Sequence, residues 1–411
     1  MALIKPFRGY RPPADLAYKI TSPPYDVMTS DEARDMVQNN NDSFLRVIKP
    51  EIDFSPENEP KGDDLHNHAK HNLLDYIEKG HLVQDTNSCF YLYQITMGNH
   101  TQTGIMAAVS IAEYNEGLIK KHEFTQPEKE DDRTRHIEIT NANTGPVFLT
   151  YRNDGKLKNV TLEILNSHPD ISFTADDGTF HTLWKVENKI QVERLINYFQ
   201  AMPALYIADG HHRAASAARV QKFREDANSN HTGDESYNYF LSVIFPHDEM
   251  QILDYNRVVK DLNGLTEEQF HESIKENFDV VPIPHPPLPI PENNYSMHIN
   301  GKWYQLEALA HVKSDDPVEG LAASILQKYL LTPILDIDDP RTNKRINFVG
   351  GIRGMEELER RCQTDCTVAF ALPPISIEQL LSVADSGQVM PPKSTWFEPK
   401  LRSGMVVRLL D

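Results

Sequence analysis

The chain has 411 residues, with 41 Lys+Arg against 60 Asp+Glu and a formal net charge of −19. With 39% hydrophobic residues it is too apolar for intrinsic disorder, and its length suggests about two to three domains. The charge argues against general nucleic-acid or anionic-membrane binding, which needs a basic surface, but leaves room for one local basic pocket for a small phosphate. Cys89, Cys362 and Cys366 are the three cysteines. They cannot build a disulfide framework and read as reduced thiols, and no second paired motif supports a zinc site. Met1-Ala2-Leu3-Ile4-Lys5-Pro6 does not read as a signal peptide, and no apolar run reaches the roughly 20 residues of a membrane span. The expectation is a cytoplasmic protein.

In chain order, the opening stretch through Arg8, Arg11, Pro12 and Pro13 to Pro23-Pro24-Tyr25-Asp26 is stiff and extended, because each proline fixes its own φ and restricts its predecessor. Thr29 and Glu32 form a capping box ahead of a helix with Ala33, Met36 and Val37 on its apolar stripe. Leu65 to Lys79 reads as a helix closed by Gly80. Phe90 to Met97 and Gly104 to Ser110 read as strands around a turn at Gly98-Asn99-His100. Val160 to Leu165 and Val192 to Phe199 look helical. Ala204 to Ala208 is a short buried strand, His212 to Phe223 an Ala-rich helix, and Phe240 to Phe245 another strand. A soft domain boundary falls near residue 260. Beyond it, Thr266 and Gln269 cap a helix, and Pro282 to Pro291 suggests polyproline II. Asn300-Gly301 marks a hairpin. Leu321 to Leu331 reads as a helix, Ser376 and Gln379 cap another, and Met405 to Leu410 is the last strand. Strands interleaved with helices give an α+β, mixed α/β, chain. The division is 1–260 as an N-terminal α/β domain and 261–411 as a C-terminal α/β domain contributing to the active-site cleft.

Leu205 to Ala208, Asp209-Gly210-His211-His212-Arg213 and Ala214 to Val220 read as a strand, a tight turn and a helix start. Backbone N–H groups at a helix N-terminus suit an anion, and Arg213 adds a fork of donors for phosphate oxygens. The two histidines exchange protons near neutral pH. The plain alternative is a helix start with Asp209 as a cap. Glu123 follows the strand-like Leu118-Ile119, where a carboxylate is placed to act as a general base. A solvated charged loop is the commoner reading of the run Lys120 to His136. Pro391-Pro392-Lys393-Ser394-Thr395 brings a cation and two hydroxyls onto a stiff turn, a cradle for a phosphate or an ordinary surface turn. Gly350-Gly351 allows a close backbone approach or a simple turn. His66, His68 and His71 lack a supporting carboxylate pattern and read as solvent-facing, so no protein metal site is expected. Walker A and G-x-G-x-x-G motifs do not occur.

Asp209-Gly210-His211-His212-Arg213 resembles the signature of the ParB/sulfiredoxin-like superfamily in its free serine kinase branch. Lys121-His122-Glu123 resembles that branch's Lys-Pro-His-Glu element, with Lys121 standing where the family has Pro. Thr367 to Leu372, the helix from Ile377 and Pro392-Lys393-Ser394-Thr395 are similar to its C-terminal strand, helix and Ser-Pro-Lys-Thr-Thr. Over its whole length the chain resembles the domain of unknown function 1015 family. That likeness rests on Pro6-Phe7-Arg8-Gly9, Pro23-Pro24-Tyr25-Asp26-Val27, His122-Glu123-Phe124-Thr125, Lys129 to Arg133, Gly145-Pro146-Val147 and the Asp209 motif.

The resemblance implies a ParB/sulfiredoxin-like core with an N-terminal extension, and phosphoryl transfer between a nucleotide (ADP/AMP or ATP, with Mg²⁺) and free serine or O-phosphoserine, in either direction. It implies Glu123 as general base and Asp209 as its helper or as an aid in positioning Mg²⁺. Gly210, His211, His212 and Arg213 would then hold nucleotide phosphates, and Lys393, Ser394 and Thr395 the substrate. Arg8, Tyr25, Asp26 and Arg133 are candidates for the added part of the site. Partners would be the small-molecule substrate and the nucleotide, with no nucleic acid and no membrane. The sequence leaves the oligomeric state open. The alternatives are a phosphoserine phosphatase-like hydrolase on the same site, or a non-catalytic regulatory protein that binds nucleotide or DNA.

Overall fold

The computed structural model describes residues 2–410. The chain is mixed α/β and divides into two compact units. The first comprises residues up to Lys121, Thr125–Met250 and the segment from Pro399 onward; the second comprises His122–Phe124 and Gln251–Glu398. The chain thus crosses ten residues before the division expected near 260, and the segment from Pro399 returns to the first unit.

Among the described residues, the first unit holds a nine-stranded sheet. Its strands are β1 (Ile4–Lys5), β2 (Phe90–Met97), β3 (His100–Ser110), β4 (Ile119–Lys120), β5 (Val147–Tyr151), β6 (Ile171–Thr174), β7 (Phe180–Val186), β8 (Leu205–Asp209) and β9 (Tyr239–Pro246). The order is β4-β8-β5-β9-β3-β2-β7-β6, with β1 added to β3. The pairs β8/β4 and β9/β5 are parallel and the others antiparallel. β2 and β3 form the expected hairpin, turning at Gly98, whose φ of 59° a side chain would resist. The helices are α1 (Ser30–Val37), α2 (Asp63–Glu78), α3 (Pro127–Thr140), α4 (Lys158–Leu165), α5 (Lys189–Gln200) and α6 (His211–Ala227). Val160 and Ile164 of α4, Leu195 and Phe199 of α5, and Ala214, Ala217 and Val220 of α6 share one core with Phe90, Leu92, Val109, Leu149 and Ile207 of the sheet. Each fully buried Leu or Phe there contributes roughly 1.5–3 kcal/mol.

The second unit holds a six-stranded antiparallel sheet of β10 (Tyr255–Val259), β11 (Phe278–Ile283), β12 (Asn294–Ile299), β13 (Lys302–Ala308), β14 (Ile346–Gly350) and β15 (Val368–Ala371). Its order is β11-β13-β12-β15-β10-β14. Phe270 and Ile274 of α7 (Glu267–Ile274) pack in one cluster with Phe278, Tyr295 and Leu326. Leu358 of α8 (Gly354–Thr364) packs with Val258, Ala369 and Ala371. Helix α9 (Ile377–Asp385) starts at the Ser376/Gln379 capping box.

Several expectations need correction. The strand Phe278–Ile283 includes Pro282 and Ile283, the first two residues of the run expected as polyproline II. It accepts Pro282 because β11 lies at the sheet edge, where a missing N–H costs no ladder bond. The helix from Leu321 gives way after Leu326 to a wider π turn, Gln327–Leu331. The last strand shrinks to Arg408–Leu409, paired with Ala142–Asn143. His66 is buried, 4% exposed, against His136 rather than facing solvent. Among the described residues, no helix is long and apolar enough to cross a membrane.

Candidate functional site

In the first unit β8 ends at Asp209, Gly210 turns the chain with φ 93°, and α6 begins at His211. The α6 residues Ala214, Ala215, Ser216 and Ala217 are small. They let the helix lie close to α3, where Ser216 Oγ donates to Glu130 O at 3.0 Å. Gly210 carries no side chain to cap the helix. A Cβ there would sit 3.4 Å from Val147 Cα in a backbone region that only glycine enters freely. Gly210→Ala should therefore destabilise the protein by about 1–2 kcal/mol, read as a lower urea midpoint.

Asp209 holds this turn together. Its Oδ1 accepts from Gly210 N at 2.7 Å and its Oδ2 accepts from Lys400 Nζ at 2.9 Å. Burial works against its ionisation, but Lys400 and Arg213 outweigh burial and hold the carboxyl well below the usual carboxylate range. Each oxygen of Asp209 thus accepts one of these hydrogen bonds, and two cations stand beside the carboxylate.

Arg213 reaches back to the loop before β5, donating to Pro146 O at 2.7 Å, and faces Asp26 Oδ1 at 3.4 Å. Burial opposes its charge, and Asp26, Tyr25 and Asp209 restore it, so the guanidinium stays protonated. The Tyr25 ring lies near two guanidinium groups, with Arg133 4.3 Å and Arg213 5.5 Å from its centre. Burial, with Asp26, pushes the Tyr25 phenol up to about 12 against the pull of both arginines, so it remains a hydrogen-bond donor. Arg133 is fixed in turn by Asp132, at 2.6 Å, and by Ile48 O. Ser22 and Ser403 exchange backbone hydrogen bonds just before the Pro23-Pro24-Tyr25-Asp26 run. A cavity of about 30 Å³ opens here, lined in part by Tyr25, Arg133, Asn143, Thr144, Arg213 and Ser403. At Gly145 a Cβ would crowd Ser403 Oγ at 3.1 Å.

The first unit thus brings together Tyr25, Asp26, Arg133, Asp209, Gly210 and Arg213. His211 is buried at the first position of α6. His212 accepts from Gln126 N at 2.9 Å through Nε2, which ties down the loop before α3 and commits that nitrogen to a structural bond. Arg8 is not among these groups; it donates to Asp85 O at 3.1 Å and opens on a different cleft.

Glu123 and Lys393 to Thr395 belong to the second unit. Glu123 is half-buried between buried His122 and exposed Phe124, and His122 O accepts from Met390 N at 2.8 Å. Lys393 sits in the left-handed region at φ 57°, with its ammonium 5.7 Å from the Tyr255 ring centre. Ser394 Oγ donates to Pro391 O at 2.7 Å, closing this turn on itself. Gly350 makes the close approach its pair suggested, since a Cβ there would lie 2.6 Å from the Trp396 ring. Sequence reasoning missed Lys400 and Ser403. A lone lysine after Glu398-Pro399 carries no local pattern, and only the return of the chain end to the first unit gives it a partner.

A family model described as "protein of unknown function (DUF1015)" matches residues 4–329. No curated protein matches the chain. Among solved structures, a free serine kinase in complex with AMP is similar over 72% of this chain and 86% of its own, at 12% identity and a TM-score of 0.36. A conserved hypothetical protein from Pyrococcus furiosus is similar over 73% and 93%, at 12% identity and a TM-score of 0.36. C-terminally truncated SbnI from Staphylococcus aureus is similar over 71% and 82%, at 11% identity and a TM-score of 0.38.

Proposed function

The chain belongs to the DUF1015 family of proteins of unknown function, and we propose that it is a phosphotransferase acting between a nucleotide and free serine or O-phosphoserine, on a ParB/sulfiredoxin-like core. The observation that carries this reading is the set of fixed cations around one strand-to-helix turn. Arg213 and Lys400 flank Asp209, and Arg133 shares the Tyr25 ring with Arg213. On a chain of net charge −19, three cations held by partly buried contacts suit nucleotide phosphates, because phosphoryl transfer depends mainly on positioning and on neutralising charge.

The choice of serine rests on the order of Lys121-His122-Glu123, the Asp209 motif and Pro392-Lys393-Ser394-Thr395, three elements that together resemble the serine kinase branch. In this reading the serine hydroxyl gives its proton to Glu123 as its oxygen attacks the terminal phosphorus of ADP. The new O–P bond forms, the bond to the AMP oxygen breaks, and AMP leaves; phosphoserine and AMP run the same steps backwards. Asp209 keeps Lys400 and the turn in place. Mg²⁺ enters only as the counter-ion of the nucleotide.

Phosphorus NMR of the protein with Mg²⁺, O-phosphoserine and AMP, beside a tube without AMP, tests the reading. ADP formed only where AMP is present supports it, and inorganic phosphate in both tubes means a hydrolase on the same residues. Silence in both tubes, with serine plus ADP or ATP also silent, sinks it. Arg213→Ala should weaken AMP binding by about ten- to a hundredfold in calorimetry, since a hydrogen bond to a charged group is worth about 1.5–3 kcal/mol.

A further inference from the structure

Arg8 sets apart a second cleft of the first unit, of about 280 Å³. The stiff opening strand carries Lys5 and Arg8 along one wall. Arg8 Nε donates to Asp85 O, and its two terminal nitrogens have no partner among the described residues. The hydroxyl of Ser88 and the amide of Gln84 line the same space. Deeper in, Arg408 is buried and donates to the carbonyls of Tyr239 and Ser236 at 2.9 and 2.6 Å, which fixes its charge in the wall. Lys5 lies over the Tyr239 ring, 4.5 Å from its centre, and meets Asp234 at 3.0 Å. Asp234 is 87% exposed, and an exposed pair of this kind is worth at most about 1 kcal/mol, so a ligand can replace it.

Three cations therefore face one loosely held carboxylate around a concave space, on a chain whose net charge is −19. A guanidinium with both terminal nitrogens open offers the forked geometry that oxyanions take, and an ammonium and a hydroxyl nearby supply the remaining donors. We propose that this cleft binds a small oxyanion of the phosphate class, a phosphomonoester or inorganic phosphate, through Arg8 and Lys5, independently of the Asp209–Arg213 turn. A cleft of about 280 Å³ admits a ligand of that size.

Equilibrium dialysis of the full chain against labelled orthophosphate at low ionic strength tests this, with wild type, Arg8→Gln, Lys5→Gln and Arg213→Gln compared. Arg8→Gln should lose one bound phosphate per chain, or bind it at least about tenfold more weakly, with its thermal midpoint unchanged because the side chain is exposed. Lys5→Gln should weaken the same phosphate, and Arg213→Gln should leave it in place. Wild-type uptake by Arg8→Gln overturns the cleft whatever Arg213→Gln does. A phosphate lost only in Arg213→Gln would support the turn and not the cleft, so the two readings fail separately. Displacement by glycerol phosphate at lower concentration than by unlabelled phosphate assigns the cleft to monoesters, and the reverse order assigns it to the free ion.

Discussion

Glu123→Gln is expected to lower turnover by roughly 10²–10⁴-fold, the usual contribution of a general base, while AMP binding survives. Gln keeps the shape and the half-buried setting of the side chain and removes only its capacity to take a proton. The flanking backbone should stay in place, because His122 O is held by Met390 N. Arg133, Arg213 and Lys400, the groups assigned to phosphate, are not changed by this substitution. The split between turnover and affinity is therefore the signature, read from steady-state rates beside AMP calorimetry. Wild-type turnover would remove Glu123 from the mechanism and leave Asp209 and Asp26 as candidates. Asp209 is the weaker of the two. A carboxylate held far below its ordinary range by Lys400 and Arg213 binds a proton poorly, and a good base lies near the working pH. Asp209→Asn should accordingly damage AMP affinity along with rate, because it frees Lys400 and loosens the turn.

What was legible in the sequence was local. The capping boxes at Thr29/Glu32, Thr266/Gln269 and Ser376/Gln379 all form, because each is closed by hydrogen bonds three residues apart. Asn300-Gly301 turns its hairpin with both residues at positive φ, which its two residue types favour. The turn from β8 into α6 was readable from one glycine between an apolar run and an Ala-rich run. What escaped depends on topology. Lys400 meets Asp209 across 191 positions, and Ser403 pairs with Ser22 only because the chain end returns to the first unit. The proline run from Pro282 reads as polyproline II, but Pro282 itself sits in a strand at a sheet edge. Residue type and family pattern group Arg8 with Tyr25, but the opening stretch delivers it to a different cleft. His66 looked solvent-facing because the histidine that covers it, His136, lies on a helix 70 residues further on.

Two buried histidines, His136 and His181, set the second large effect, on stability in acid. Burial, with Arg133 nearby, pushes His136 down to about 3 against the help of the Val47 carbonyl. Burial, with Arg402 nearby, pushes His181 down to about 3 against the help of Asp177. Arg402 Nε donates to His181 Nε2, so the ring's proton sits on Nδ1, where it meets Tyr93 Oη at 2.9 Å. Unfolded histidine titrates near 6.5. Above that pH both states are neutral and neither residue contributes to pH dependence. Below it the unfolded chain takes up two protons that the folded chain refuses, so stability falls from pH 6.5 down to about 3. Each histidine gives a slope of about 1.4 kcal/mol per pH unit, and the pair about 3 kcal/mol. Carboxylates such as Asp177, held low by Arg402 although burial opposes it, add their own loss from about pH 5 downward, while Glu113, Glu249 and Asp254, pushed up by burial, oppose it, so each histidine is read from the difference between wild type and its own variant. Urea unfolding between about pH 6 and 4.5 should show an uptake about one proton smaller in His136→Gln or His181→Asn than in wild type. Gln can still donate to Val47 O and Asn can still reach Tyr93, and the slope is insensitive to whatever stability either variant loses at neutral pH. A slope that neither variant reduces would mean that both rings accept protons in place, and that neither is as sealed as the packing around Val47 and Tyr93 requires.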